Sequence, residues 1–386
     1  KTPYLKPLLY DSIISTTSVE HWKDQRKDYQ PAFSSENYQH MINISNARSR
    51  HCVSILKHTL LDNSEIDIYN FFLNETLAQL HLALFGISNE FQKETNPKIR
   101  ETFRGENIPY GREYAFSLLD EIKRGHGSLS VAMTTRDSKL KTKREDFGNA
   151  LTFTFAGHDT TANTLTWLVF ELCRHPKHYT KLQTEVNLFW KNKGTNLDIY
   201  YNDFKQLPFM TRCIMETLRL WTSIPNGTSR ELEHDDYITG KNGDKFLLKK
   251  GTHVQIPNWT RHRNPLLWGE DCNIFNPDRE FKEDEIWNNS GIAAYNPSSE
   301  RFSPFTYGPR DCIGKNFSQI EMRIILLHLL SNFTFSLKEE QLNKYSENDL
   351  SFNAATLGPR NIHNKTLFEN SLGMYINVET VTLSKL

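Results

Sequence analysis

The 386-residue chain carries no excess of either charge: 46 Lys and Arg stand against 46 Asp and Glu, so no basic field points to nucleic acid. Its five cysteines, at 52, 173, 213, 272 and 312, include no C-x-x-C pair. That excludes the common zinc sites and a disulfide framework, and it suits reduced thiols in a cytosol-facing protein. No run of about 18 apolar residues occurs, so no transmembrane helix is read in the sequence, and no secretory signal pattern is present. No flavin or nicotinamide fingerprint is found, so any electrons the protein uses must come from a separate protein. Hydrophobic residues are modest at 38%, although 24 Phe and 15 Tyr add bulk for a core. The length suits one large domain or two ordinary ones.

One stretch breaks this plain background, SPFTYGPRDCIGKNF from Ser303 to Phe317. Phe305, Gly308 and Arg310 precede Cys312, and Gly314 follows it, which completes F-x-x-G-x-R-x-C-x-G. Downstream, Phe317, Ile320, Ile324, Leu327 and Leu330 recur near helical spacing, which predicts a helix from 317 to 330. A thiolate just before a helix N-terminus is stabilised by free backbone N–H groups and the positive dipole end. Gly308 and Gly314 let the backbone turn tightly against a flat partner. Arg310 offers a fork of donors to a carboxylate. Together these features suit a cysteine that ligates a haem iron, with an arginine on a haem propionate. A buried free cysteine in a loop is the plainer reading of such a residue taken alone. The complete pattern resembles the haem-binding signature of the cytochrome P450 family.

Other segments extend that resemblance. Residues 1 to 21 read as loop with short turns, and Trp22 to Phe33 reads as a short helix ended near Pro31. It is similar to the family's W-x-x-x-R helix, with Trp22 and Arg26 one turn apart, so both can reach one propionate. Residues Ile13 to Ser15, in the loop ahead of it, are expected near a substrate. Helices are predicted over 37–61 and 68–86, and the polar stretch 87–114 shows no period. The family places the roof of its active site there, so the short interval suggests that 87–114 is an incomplete roof.

The longest helical run is Glu145 to His175, ended by Pro176, and at about 1.5 Å per residue it spans about 45 Å. Its middle holds Gly157, Asp159, Thr160 and Thr161 in an otherwise apolar helix, against propensity, which marks a place to expect function. The run AGHDTT from Ala156 to Thr161 resembles the family's oxygen-activation motif, with Ala156 and Thr160 on one face. Gly157 is expected to leave room for a loosened turn, and His158 to face away from the site. Asp159 is expected to reach solvent.

Pro208 to Trp221 predicts a further helix carrying Glu216 and Arg219 at i and i+3, a pairing that is commonly only a solvated surface contact. In this setting it resembles the family's E-x-x-R, with Arg279 of FNPDREF as third member of a structural network and Arg301 as rival. Asn-Gly in Gly240 to Gly243 predicts a hairpin between 237–239 and 245–248. With 253–256 it is read as one small antiparallel sheet, with Arg230 just ahead of it as a further propionate contact. Terminal strands are predicted over 350–357 and 374–381.

The resemblance implies a mainly α fold with a minor antiparallel β region, the cytochrome P450 fold, in a single catalytic domain over 1–386. Because the chain starts at Lys1, the N-terminal anchor and the first sheet and helix are expected to be missing from it. The implied cofactor is haem b (heme b), with the Cys312 thiolate as axial iron ligand and with electrons from NADPH through a redox partner. Trp22, Arg26, Arg230 and Arg310 are then propionate contacts, with Phe305, Gly308 and Gly314 shaping the turn. Ala156, Gly157, Asp159 and Thr160 form the catalytic set, in which Asp159 and Thr160 deliver protons. The implied partners are a flavoprotein reductase or ferredoxin, O2 and a small hydrophobic substrate, with no nucleic acid. A monomer held at the endoplasmic-reticulum membrane by the missing segment is expected. The loop before Trp22 and the H-R-N-P-x-x-W region resemble the branch acting on fatty acids and alkyl chains. Sterol or xenobiotic oxidation, a haem-thiolate isomerase or dehydratase, and a non-catalytic haem-binding protein are the alternatives. The acid–alcohol pair at 159–160 argues against the last two.

Overall fold

The computed structural model describes residues 6–62, 65–87, 108–285, 299, 301–306, 308–337 and 375–381. After one helical turn, α1 (Lys6–Leu9), helix α2 (Val19–Tyr29) starts on Ser18, whose side chain accepts the His21 N–H. The helix therefore begins a turn before the position read from Trp22. It tightens into a 3-10 turn at Gln30–Phe33, where Pro31 cannot donate to a continuing helix. Helix α3 (Tyr38–Asp62), strand β1 (Glu65–Asp67) and helix α4 (Ile68–Leu80) follow, with Asp67 accepting the N–H groups of Tyr69 and Asn70. A π-turn at His81–Phe85 extends α4 until Gly86, at φ 65°, closes it.

Helix α5 (Ile108–Arg124) occupies part of the stretch that lacked a readable period. The rest of that stretch, 88–107, lies outside the described residues, as does the strand expected over 350–357. Helix α6 (Ser128–Thr135) leads to the central helix α7 (Glu145–Arg174). Helices α8 (Pro176–Lys193) and α9 (Pro208–Leu220) each open with proline in the first turn, where no N–H is missed.

The β region differs from its expected form. Strands β2 (Thr228–Glu231) and β5 (His253–Ile256) pair with each other, while β3 (Asp236–Thr239) and β4 (Lys245–Leu248) make a separate hairpin. There are two two-stranded units in place of one sheet, and Arg230 lies within β2 and not ahead of the sheet. Short helices α10 (Asn258–His262) and α11 (Pro265–Trp268) follow, then α12 (Lys315–Asn332) and β6 (Phe333–Ser336). The last strand, β7 (Tyr375–Thr380), pairs antiparallel with both β6 and β1, setting Ile376 opposite Ile66 and Val378 opposite Phe335.

Helix α7 is the axis of the core. Leu165, Trp167, Leu168 and Phe170 are buried, and the Trp167 indole stacks on Trp221 at 3.7 Å. Where α4 crosses α7, a Cβ added at Gly157 would lie 2.5 Å from a Leu80 methyl. Helix α7 runs unbroken through this point. Gly157 thus serves the close approach of two helices, which corrects the expectation of a loosened turn. Among the described residues no helix is long and apolar enough to cross a membrane.

Candidate active site

The cysteine turn is built by its backbone. Cys312 N–H donates to the Phe305 carbonyl at 2.9 Å and Asp311 N–H to the Gly308 carbonyl at 3.0 Å. Gly308 takes φ 80°, and Thr306 takes φ 70°, a left-handed value uncommon for a β-branched residue. The base of the turn is pinned by α10: the Ser303 N–H donates to His262 Nε2 at 3.2 Å, and Arg261 Nη2 donates to Ser303 Oγ at 2.5 Å. A Cβ on Gly314 would meet the Phe33 ring at 3.8 Å, so the residues after α2 close against the far side of the turn.

Cys312 is exposed and lines a cleft of about 330 Å³ with Arg26, Gln30, Phe33, Asp311 and Lys315. Crowding by protein raises its thiol above the ordinary value, and a hydrogen bond from the Gly314 backbone opposes that shift. Since the residue is solvent-accessible, its desolvation is incomplete, and the favourable Gly314 N–H gains weight.

Beside the turn stand Trp22 and two arginines, Arg310 and Arg230. Trp22 is buried, and the Arg310 guanidinium sits over its ring, 4.7 Å from the centroid. Arg310 Nη1 reaches the Thr16 carbonyl at 3.5 Å, and Arg230 Nη1 donates to the Ser229 carbonyl at 3.0 Å. Among the described residues neither arginine pairs with a carboxylate. Burial pushes Arg310 below the ordinary arginine value, and the neighbouring Arg230 charge pushes it further. Two cations that repel each other in a half-buried place fit a bound group carrying two carboxylates, as haem does.

Arg26 has a different partner from the one expected. Its Nη1 donates to the Asp311 carbonyl at 2.8 Å, its Nη2 to Asp311 Oδ1 at 2.7 Å, and its Nε to Gln30 Oε1 at 3.0 Å. Arg26 thus contacts the residue next to Cys312.

On α7, residues 155–160 include an exposed Ala156 and half-buried Gly157, Asp159 and Thr160, while 150–154 and 161–170 are buried. The helix therefore looks onto open volume at the motif. Thr160 Oγ1 donates to the Ala156 carbonyl at 3.0 Å, and the Thr160 carbonyl accepts from Ser223 Oγ at 3.0 Å. His158 points away, fully buried, with Nδ1 2.6 Å from the Thr154 carbonyl. Phe153 lies 6.1 Å from the Phe33 ring, so one aromatic pair spans from α7 to the cysteine turn. Ile13 to Ser15 also pack on α7, where the Ile13 N–H donates to Asn149 Oδ1 at 2.9 Å; Ile13 and Ser15 are buried.

Glu216, Arg219 and Arg279 meet in one network. Glu216 accepts from Arg219 Nε and Nη2, both at 2.7 Å, and from Arg279 Nε at 3.3 Å. Arg219 also holds the carbonyls of His262 and Cys272, and Arg279 pairs with Asp271 at 2.7 Å. Arg301, the rival third member, instead pairs with Glu285 at 2.8 Å and stacks over Trp268.

A second buried network was not read from the sequence. Glu145 Oε2 lies 2.7 Å from His21 Nε2, and Glu145 Oε1 accepts from Arg136 Nε at 2.7 Å. The fully buried Arg136 side chain also pairs with Asp24 and Asp28 of α2. It fastens α2, and with it Trp22, to the start of α7. Its two halves, His21 to Asp28 and Arg136 to Glu145, lie more than 100 positions apart, so only the acid at the head of a long apolar helix hinted at it.

Comparison with known proteins bears on this arrangement. Residues 127–363, more than half of the chain, match the family described as Cytochrome P450. The chain is 26% identical over 382 residues to human cytochrome P450 4F12, covering 86% of this chain and 70% of that protein. It is 35% identical over 207 residues to mouse cytochrome P450 4F3, covering 53% and 36%. Putative cytochrome P450 CYP13A5 of Caenorhabditis elegans matches at 32% over 197 residues, covering 51% and 34%. The chain thus spans about a third of the length of the mouse and nematode relatives. The matched span takes in the motif on α7, the charged triad and the cysteine turn in that order, and the chain belongs to the cytochrome P450 family.

Proposed function

We propose that this chain is the catalytic part of a haem-thiolate monooxygenase that hydroxylates a hydrophobic substrate, with fatty-acid or other lipid chains as the first class to test. The observation that carries the reading is the pair Arg230 and Arg310 beside Trp22, two cations with no carboxylate of their own among the described residues, next to an accessible cysteine ahead of a helix.

When bound, haem supplies the activation of O2 and the transfer of one oxygen atom, with electrons from NADPH through a reductase or ferredoxin. The chain's own residues bind, orient and move protons. Cys312 provides the thiolate, and the Gly314 N–H stabilises the sulfur's charge. Arg230, Arg310 and the Trp22 N–H take the carboxylates. Ala156 keeps the helix face low where substrate and oxygen must fit. Asp159 takes protons from solvent, and Thr160 presents them on the Ala156 face. To do so the Thr160 hydroxyl gives up its bond to the Ala156 carbonyl, a small cost because the helix keeps its own ladder. The Glu216–Arg219–Arg279 network holds the segment ahead of the cysteine turn and takes no part in chemistry. The protein is read as a monomer working at a membrane surface of the endoplasmic-reticulum kind.

The test is a screen of the ferric protein against fatty acids, sterols and terpenes, followed by reductase-driven turnover. Displacement of iron-bound water and hydroxylated product with fatty acids support the reading. Response to sterols or terpenes alone overturns the substrate class, and absence of any reductase-dependent oxygen uptake overturns the activity.

A further inference from the structure

The stretch that leaves α9, Trp221 to Pro225, is tied to α7 at two levels. Ser223 Oγ donates to the Thr160 carbonyl at 3.0 Å and lies 3.2 Å from Thr164 Oγ1, which itself donates to that carbonyl at 2.9 Å. About two turns further along α7, the Trp221 ring lies flat on Trp167, 5° from parallel, and its Nε1 donates to Glu171 Oε1 at 2.7 Å. The far end of the stretch belongs to α10. The Trp259 N–H donates to the Pro225 carbonyl at 3.0 Å, and Asn258 Nδ2 donates to the Ile224 carbonyl at 3.2 Å. Helix α10 in turn holds Ser303 at the base of the cysteine turn. The stretch thus connects the motif on α7 to the cysteine turn.

A carbonyl has two lone pairs, and within a helix the N–H four residues on takes one of them. The ladder of α7 has no need of a serine from another element on the Thr160 carbonyl. Hydroxyls bonded to helix carbonyls tilt the peptide and bend the axis, so this bond fixes how the Thr160 turn faces. The Thr160 hydroxyl rides on the same turn, where it bonds the Ala156 carbonyl.

We propose that Ser223 is a positioning residue for the reaction: it holds the Thr160 turn so that the Thr160 hydroxyl faces the open volume beside Ala156, and so sets the share of reductant that ends in product. The inference deepens the reading above and rests on Thr160 presenting the proton. Ser223 acts through the Thr160 peptide and needs no contact with substrate or haem.

The experiment uses the haem-loaded protein with a reductase and laurate as the probe. It compares the parent, Ser223→Ala, Ser223→Thr, Thr160→Ala and the Ser223→Ala/Thr160→Ala double variant. Product and peroxide are measured per reductant consumed, the ferric spectral shift gives laurate affinity, and amide exchange is followed over 160–165 without turnover. Ser223→Ala should lower product per reductant several-fold, raise peroxide, and speed exchange over 160–165, at unchanged laurate affinity. Ser223→Thr keeps the hydroxyl and restores both coupling and exchange. Thr160→Ala keeps its carbonyl, so in that background Ser223→Ala still speeds exchange but lowers coupling no further. Parent-like coupling in Ser223→Ala, a further loss in the double variant, or a Ser223→Thr as impaired as Ser223→Ala overturns the proposal. Parent-like coupling in Thr160→Ala is a different result: it shows the proton reading wrong before Ser223 is touched, and the proposal falls with it. Laurate inert in the parent overturns the substrate class alone. The exchange comparison then decides, and equal exchange in the parent and Ser223→Ala overturns the role of Ser223.

Discussion

Thr160 and Asp159 are neighbours on α7 but face about 100° apart, and that separation gives them distinguishable roles. Thr160→Ala removes a hydroxyl and little volume, so substrate binding and reductant use should persist while product falls and peroxide rises. The ratio of product to reductant consumed measures this, and unchanged coupling would show that Thr160 does not present the proton. Asp159→Asn should slow the whole cycle, by about 100-fold if this carboxylate is the general acid–base path. Gly157 shows where reading by residue stops. Its oddness in an apolar helix was visible, but its cause, the Leu80 methyl 2.5 Å from a would-be Cβ, belongs to a helix about 80 positions away. Gly157→Ala should cost about 1–3 kcal/mol by overpacking. Leu80→Ala should recover part of that in the double variant, and strictly additive melting data would rule out the contact as the reason for glycine. Arg26 teaches the same lesson. Its spacing from Trp22 was readable, whereas its preference for Asp311, 285 positions on, was not.

Helix α9 and the segment behind it are joined by the buried Glu216–Arg219 pair and by Arg279. Glu216 and Arg219 are fully buried, and Glu216→Ala leaves the Arg219 guanidinium without a carboxylate, while Arg279 keeps Asp271. The loss should be about 3–5 kcal/mol, seen as haem-free or misfolded protein. A well-folded holoprotein with only slowed turnover would show a catalytic role instead. At the C-terminal end of α7, His175 Nδ1 lies 2.8 Å from the Glu171 carbonyl and 3.4 Å from its carboxylate. Hydrogen bonding to the Glu171 side chain raises the His175 pKa above its ordinary value, against the effect of burial. A raised histidine stabilises the fold fully below the unfolded value of about 6.5 and loses that contribution as pH rises through the folded value. His175→Gln should therefore lower the melting midpoint at pH 5.5 and leave it nearly unchanged at pH 9. An equal loss at both pH values would mean that packing, not charge, is what His175 supplies.

Across the molecule, the long helices were legible because their apolar period and caps are local: α7 and α9 end within a residue of the expected positions, while α5 and α6 were not read. Strands β3, β4, β5 and β7 were legible as strands, whereas β1, β2 and β6 were not read at all. The Asn-Gly turn fixed the β3–β4 hairpin, while the pairing of β5 with β2, across that hairpin, depends on contacts no short window contains. The site divides the same way. The F-x-x-G-x-R-x-C-x-G turn and the E-x-x-R pair announce themselves, since their residues must stand at fixed spacing. The Glu145–Arg136–His21 network and the Arg26–Asp311 pair join elements brought together only by folding. All of them converge on one claim, that Cys312 ties iron to this chain. It is tested by the spectrum of the reduced carbon monoxide complex of the parent and of Cys312→Ser. The account predicts the red-shifted thiolate Soret band in the parent and its loss in the variant. The same band persisting in Cys312→Ser, or absent from a haem-loaded parent, would contradict it.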